Sequence, residues 1–204
     1  MNDEDNVTRF PTSQAAHPAP ADPLPRGKLE MVVTHLQMRA RPPGLVMPQR
    51  AEALSIIRAR RPTVSYYRYL YDTVGAEWMW FERRRLADRE LAAIIHSPHV
   101  GIYVMYTSGV PAGFVELDWR REDEVEIAYF GLLPEFIGRG LGRYLLAWAI
   151  DKAFSSTPER PALRLWVHTC NYDHPEALAN YQRAGFSAYR QERSVIDDPK
   201  LFSD

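Results

Sequence analysis

The stretch Glu126-Ile-Ala-Tyr-Phe-Gly-Leu-Leu-Pro134-Glu-Phe-Ile-Gly138-Arg-Gly140-Leu-Gly142-Arg-Tyr-Leu-Leu-Ala-Trp-Ala-Ile150 reads as an apolar strand, a glycine-rich turn and an amphipathic helix. Gly138, Gly140 and Gly142 alternate where strand hands over to helix. Glycines this close together would weaken either element from inside, whereas at a junction they let backbone N–H groups converge. A helix starting at Leu141 adds its free N–H groups and its dipole, so the turn suits an anion. A phosphate-bearing ligand is the first expectation.

Elements can be read outward from this turn. The strand spans 125–133 and the helix 141–154. Upstream, apolar runs at 100–107 and 110–119 flank Ser108-Gly109 and predict a hairpin. Helices are expected over 63–74, with Val64, Tyr67, Leu70 and Tyr71 on one side and Gly75 as a C′ glycine, and over 87–95, with Asp88 as N-cap. Residues 50–60 fit a further helix with Ala53, Leu54 and Ile57 on one side, stopped by Pro62. Residues 28–38 alternate and predict a first strand. Residues 1–27 hold five prolines and few large apolar groups, which predicts a disordered tail. Downstream come a strand at 162–167, a helix at 175–184 opened by Pro175 and closed by Gly185, and a last strand at 186–196. Strands in sequence before the turn and βαβ character after it make a mixed α/β domain over 28–204.

Composition narrows the function. Net charge is −1, which argues for neither a nucleic-acid nor a membrane surface. No apolar run reaches the roughly 20 residues of a spanning helix. One cysteine, Cys170, excludes an internal disulfide and fits a reducing compartment. The start, Met1-Asn-Asp-Glu-Asp, lacks the apolar segment of a secretory signal, so a cytoplasmic location is expected.

Among phosphate motifs, a P-loop fails because no Gly-Lys pair follows the turn. A dinucleotide fingerprint needs a third glycine where Arg143 stands, and its strands would be parallel, not the hairpin expected here. A tight turn that merely lets helix and strand pack is the plain alternative.

The turn resembles the acyl-coenzyme A loop of the Gcn5-related N-acetyltransferase (GNAT) superfamily, Gln/Arg-x-x-Gly-x-Gly/Ala. Arg139-Gly140-Leu141-Gly142 match, while Ile137 replaces the usual Gln or Arg. A second segment, His174-Pro-Glu-Ala177-Leu-Ala-Asn-Tyr181-Gln-Arg-Ala-Gly185-Phe186, is similar to the family's Asn-x-x-Ala-x-x-x-Tyr-x-x-x-Gly-Phe, with His174 in place of Asn. The resemblance covers about 100–186. After Phe186 there is room for one long strand, where the family often has two.

The resemblance implies a GNAT-type, mostly antiparallel mixed sheet flanked by helices. It also implies transfer of an acetyl group from acetyl-coenzyme A to a primary amine, without a metal. The expected acceptor is a small molecule, with a protein lysine as the alternative; a coenzyme-binding module without turnover is the non-enzyme reading. Backbone of Ile137, Gly138, Arg139, Gly140, Leu141, Gly142 and Arg143 is expected at the pyrophosphate, with charge from Arg139 or Arg143. Phe130 and Leu132 are expected along the pantetheine arm. Tyr181 stands at the family's acid position. Glu126 is the base candidate, with Glu116, His168 or water as rivals; alternation puts Glu124, Glu126 and Ala128 on one face and Val125, Ile127 and Tyr129 on the other. The aromatic group Tyr66, Tyr67, Tyr69, Trp78, Trp80 and Phe81 falls on the acceptor side or in the core. Of it, Trp78, Trp80 and Tyr69 are expected at the acceptor, with His168. His168 and His174 do not have metal-ligand spacing, and Cys170 lacks an activating environment. Edge strands leave a homodimer possible.

Overall fold

The computed structural model describes residues 24–48, 53–155 and 162–202. The tail expected over 1–27 lies outside them up to position 23. The elements are β1 (Lys28–Met38), β2 (Leu54–Arg58), α1 (Val64–Val74), α2 (Asp88–Ile95), β3 (Val100–Thr107), β4 (Val110–Asp118), β5 (Glu124–Leu132), α3 (Leu141–Phe154), β6 (Arg164–Cys170), α4 (Ala177–Arg183) and β7 (Ser187–Asp197). They form the mixed α/β domain that the sequence predicts.

Seven strands make one sheet in the order β2-β3-β4-β5-β6-β1-β7. Every neighbouring pair is antiparallel except β5–β6. Ser108 and Gly109 both take positive φ, 49° and 84°, the geometry a two-residue hairpin loop requires. One helix expectation is overturned. Leu54–Arg58 is a strand at the sheet edge, paired with β3 from Leu54↔Thr107 to Arg58↔Tyr103. Its β-branched Ile56 and Ile57 pair with an available neighbour, and tertiary pairing overrides a short helical period. Of the rest of that expected helix, Ala53, Ala59 and Arg60 are not helical, and 50–52 lie outside the described residues.

The second C-terminal strand of the family pattern does not occur among the described residues. β1, from the other end of the chain, inserts between β6 and β7. Ten register pairs tie β1 to β7, and Asn171 pins the far end of β6 to it, accepting from Val32 N–H and donating to Glu30 C=O.

The two sheet faces carry separate cores. On one, α3 buries Leu141, Leu145, Ala149 and Ile150 against Leu36, Val115, Leu117, Val125, Ile127 and Val167. On the other, α1 and α2 bury Tyr67, Leu70, Tyr71 and Leu91 against Ile102, Val104 and Phe114. Thr63 caps α1 by accepting from Tyr66 N–H at 3.2 Å. Two expected caps differ in detail. Asp88 is the first helical residue of α2 and pairs with Arg68, while the capping position is Ala87, whose N–H is taken by Glu90. Gly75 has an ordinary φ of −89°; it is needed because a Cβ there would lie 2.6 Å from Trp80.

Candidate active site

The site begins with a defect in the sheet. Glu116 pairs with Tyr129 but Leu117 pairs with Ile127, so Ala128 is an extra residue on β5. Such a bulge bends its strand and shifts the alternation of side chains. The even alternation expected along β5 therefore fails at this point. Val125 and Ile127 face α3, as does Phe130, whereas Tyr129 turns to the α1 side with Glu126. Beyond the bulge β5 separates from β6. Their parallel pairing covers Glu124↔Arg164, Val125↔Leu165 and Glu126↔Trp166, and stops although both strands continue. The cleft leaves strand backbone without a neighbour, and polar backbone of this kind calls for a ligand or water.

The cleft opens into a cavity of about 440 Å³. On the α3 side its walls are Phe130, Leu132, Val167, Ala177, Asn180 and Tyr181, and it runs to the glycine turn at Ile137, Gly138, Gly140, Gly142 and Arg143. Gly138 and Gly140 have φ of 81° and 71°, values that a side chain disfavours. Gly140 is the N-cap of α3 and has no side chain to cover the helix's free N–H groups. On the α1 side the walls are Trp78, Met79, Trp80, Glu82 and Tyr129, with Met31 and Val33 of β1 and His168 and Cys170 of β6.

Most expected site residues meet here, with exceptions. Leu141 offers only backbone, since its side chain is fully buried in the α3 core. Arg139 turns its guanidinium over the Phe136 ring at 5.2 Å and does not line the cavity. Tyr69, expected at the acceptor, is 47% exposed and does not line the cavity, because α1 buries the face carrying Tyr67, Leu70, Tyr71 and Val74. Tyr66 is bonded to Tyr106 through their hydroxyls at 2.6 Å, and Phe81 lies under Arg85. Met31, Val33, Glu82 and Tyr129 were not foreseen as walls. The first two reach the cavity only because β1 is inserted beside β6.

Glu126 is a further exception: it does not line the cavity itself but stands behind it on the α1 side, 3.7 Å from Nδ1 of His168, which does. Burial, and then the negative charge of Asp118, raises its pKa from the usual 4.5 to about 7, against the opposing pull of Arg121. Glu116 cannot serve in the same way. It is fully buried, accepts from the Tyr67 hydroxyl at 2.5 Å and pairs with Arg83 at 2.6 Å. Tyr181 is buried among Phe130 and Phe186, and burial, with Asp173 nearby, pushes its phenol above the ordinary range, so it stays protonated. Burial also raises the Cys170 thiol to about 11, which removes it as a nucleophile near neutrality. His174 lies beside Trp78, ring to ring at 5.2 Å, and its Nδ1 accepts from Glu176 N–H, so it covers the start of α4. Among the described residues no group of His, Cys, Asp and Glu is arranged to hold a metal ion. No described helix is long and apolar enough to cross a membrane.

A sequence profile of the acetyltransferase (GNAT) family matches residues 66–186. No curated protein matches the sequence. Among solved structures, a tandem GNAT protein from the clavulanic acid biosynthesis pathway is similar with a TM-score of 0.60 and 16% identity, over 94% of this chain and 62% of that one. A GCN5-related N-acetyltransferase from Kribbella flavida gives 0.57 and 17% over 85% of this chain and 60% of that one. This chain therefore spans less than two thirds of either. Spermidine N-acetyltransferase from Vibrio cholerae, solved with CoA and spermine, gives 0.51 and 20% over 74% of this chain and 98% of that one. At these identities the likeness is one of fold.

Proposed function

From the premise that the chain belongs to the acetyltransferase (GNAT) family, we propose that it moves an acetyl group from acetyl-coenzyme A to the primary amine of a small molecule. The observation that carries this reading is the cleft between β5 and β6, which runs from the glycine turn through to the aromatic wall on the other sheet face. A linear thioester laid along it has phosphate at one end and its reactive carbon at the other.

The parts take distinct roles. Backbone N–H groups from Gly138 to Arg143 face the pyrophosphate at the α3 N-terminus, whereas the Ile137 N–H, expected there too, donates to the Pro134 carbonyl; the Arg143 side chain adds charge where it lines the cavity. Unpaired backbone of Phe130 and Leu132 holds the amides of the pantetheine arm, much as a neighbouring strand would. The acceptor enters from the α1 side, past Trp78, Trp80 and His168. Glu126 takes a proton from its ammonium group, directly or through a water, and a carboxylate with a pKa near 7 can do so at neutral pH. The nitrogen then attacks the thioester carbon. As the C–N bond forms and the C–S bond breaks, Tyr181 gives its proton to the departing sulfur, and the acylated nitrogen gives up its second proton through water to restore the Tyr181 phenol. Its raised pKa makes it a reliable donor and a weak acid, so its main contribution is a hydrogen bond to the developing thiolate.

A walled cavity of this size supports a small acceptor over an extended peptide. The test is release of free coenzyme A from acetyl-coenzyme A over a panel of amines, amino acids, aminoglycosides and lysine peptides. Amine-dependent release with a small acceptor supports the reading. Release only with lysine peptides contradicts the acceptor class, and none with any acceptor contradicts the activity.

A further inference from the structure

β1 alternates cleanly. Val32, Thr34, Leu36 and Met38 are buried toward α3, and Met31, Val33, His35 and Gln37 stand half-buried on the other face. That second face is the one on which Glu126 lies, since His35 is opposite His168 in register, their rings are 5.9 Å apart, and His168 faces Glu126. Met31 and Val33 therefore line the cavity on the acceptor side, across from Trp78, Trp80 and Tyr129. Trp80 and Tyr129 pack ring to ring at 5.1 Å, so that wall is a fixed aromatic surface. Methionine facing it adds an adaptable apolar contact.

The charges on this wall are mostly in use. Asp173 accepts from the Thr169 hydroxyl and Cys170 N–H, and Glu176 pairs with Arg183. Glu82 stands exposed, 3.4 Å from the hydroxyls of Tyr71 and Tyr129. Glu126 itself lies beside His168 and within reach of the charges of Asp118, Arg121, Glu116 and Arg83, while the lining from β1 and the α1–α2 connection, apart from Glu82, is Met31, Val33, Trp78, Met79 and Trp80.

We infer that the acceptor is a primary amine carried on an apolar body, an alkyl- or arylalkylamine, and that Met31 and Val33 read that body. The inference rests on the acetyl-transfer reading above and deepens it. The ammonium group sits at Glu126 and the apolar body lies between β1 and the Trp78–Trp80 wall. The strand inserted from the other end of the chain thus sets acceptor choice.

The test uses the full chain with acetyl-coenzyme A and n-alkylamines from propyl to hexyl, alongside 1,5-diaminopentane and a lysine peptide, with coenzyme binding measured by calorimetry. The expected result is a KM that falls about fourfold per added methylene. n-Hexylamine should also outperform 1,5-diaminopentane, a chain of similar length ending in a second charge, by tenfold or more in kcat/KM. Met31→Gln and Val33→Asn should raise the hexylamine KM several-fold with coenzyme affinity unchanged. A series flat in chain length, or a preference for the diamine or the peptide, overturns the inference while leaving acetyl transfer standing. Absence of coenzyme binding overturns both.

Discussion

Arg83 Nη2 lies 2.6 Å from Glu116 Oε1, an ion pair whose carboxylate is fully buried. Arg83 belongs to the connection between α1 and α2 that carries Trp78, Trp80 and Glu82, and Glu116 belongs to the sheet. The Arg83 guanidinium also covers the Tyr129 ring at 5.1 Å. The pair fastens the aromatic wall of the cavity to β4 and β5. Removing one partner strands a buried charge, so Glu116→Gln should cost about 3 kcal/mol in urea unfolding. Arg83→Met/Glu116→Gln together should recover much of that loss, because neither position then carries a charge to be stranded.

Glu126 should separate activity from stability. Its pKa is raised in the folded state, so the folded protein holds this proton more tightly than the unfolded chain, and stability present below pH 4.5 is lost as pH rises through about 7. kcat/KM should therefore rise with pH through an apparent pKa near 7. Glu126→Gln should lower it by 10²-fold or more. The same variant should unfold at a higher temperature than the parent at pH 8, by an amount worth about 2 kcal/mol, and show no such gain at pH 4. Full activity in Glu126→Gln would remove the base role.

Tyr181→Phe keeps the ring against Phe130 and Phe186 and deletes only the hydroxyl. kcat should fall about 10²-fold while calorimetric affinity for acetyl-coenzyme A stays within about twofold. Unchanged turnover would leave Tyr181 as packing alone.

Gly75→Ala would ordinarily be mild at a helix end, since φ there is −89°. Here the new Cβ meets Trp80 at 2.6 Å, so the indole must leave its contacts with Tyr71 and Tyr129. The expected result is a loss of about 2 kcal/mol, read from thermal unfolding, together with a raised acceptor KM. Gly140→Ala acts on the other end of the cavity. Its φ of 71° strains a side chain by about 1 kcal/mol, and weaker coenzyme binding should accompany the loss.

The parts legible in the sequence are local. Gly138, Gly140 and the helix from Leu141 announce themselves through spacing, and the Ser108-Gly109 hairpin through turn chemistry. Tyr181 stands out through its place before Gly185-Phe186. What escaped depends on partners far along the chain. Residues 54–58 form a strand because β3 offers an edge, and their short apolar run does not distinguish strand from helix. The extra residue at Ala128 is visible only in the register between β4 and β5, so simple alternation put Tyr129 on the wrong face. The insertion of β1 between β6 and β7 brings Met31 and Val33 to the cavity across more than 130 positions of sequence, and no local pattern encodes it. Tyr69 lies away from the cavity for a local reason: an aromatic-rich helix has an outward face as well as a buried one.

The central claim is that the split between β5 and β6, with the glycine turn at its end, is a seat for acetyl-coenzyme A. Calorimetric titration of the full chain with acetyl-coenzyme A tests it most directly. One binding site per chain, weakened at least tenfold by Gly140→Val and unaffected by Tyr69→Ala, is the predicted result. No heat of binding, or binding indifferent to Gly140→Val in a protein that remains folded, would contradict it.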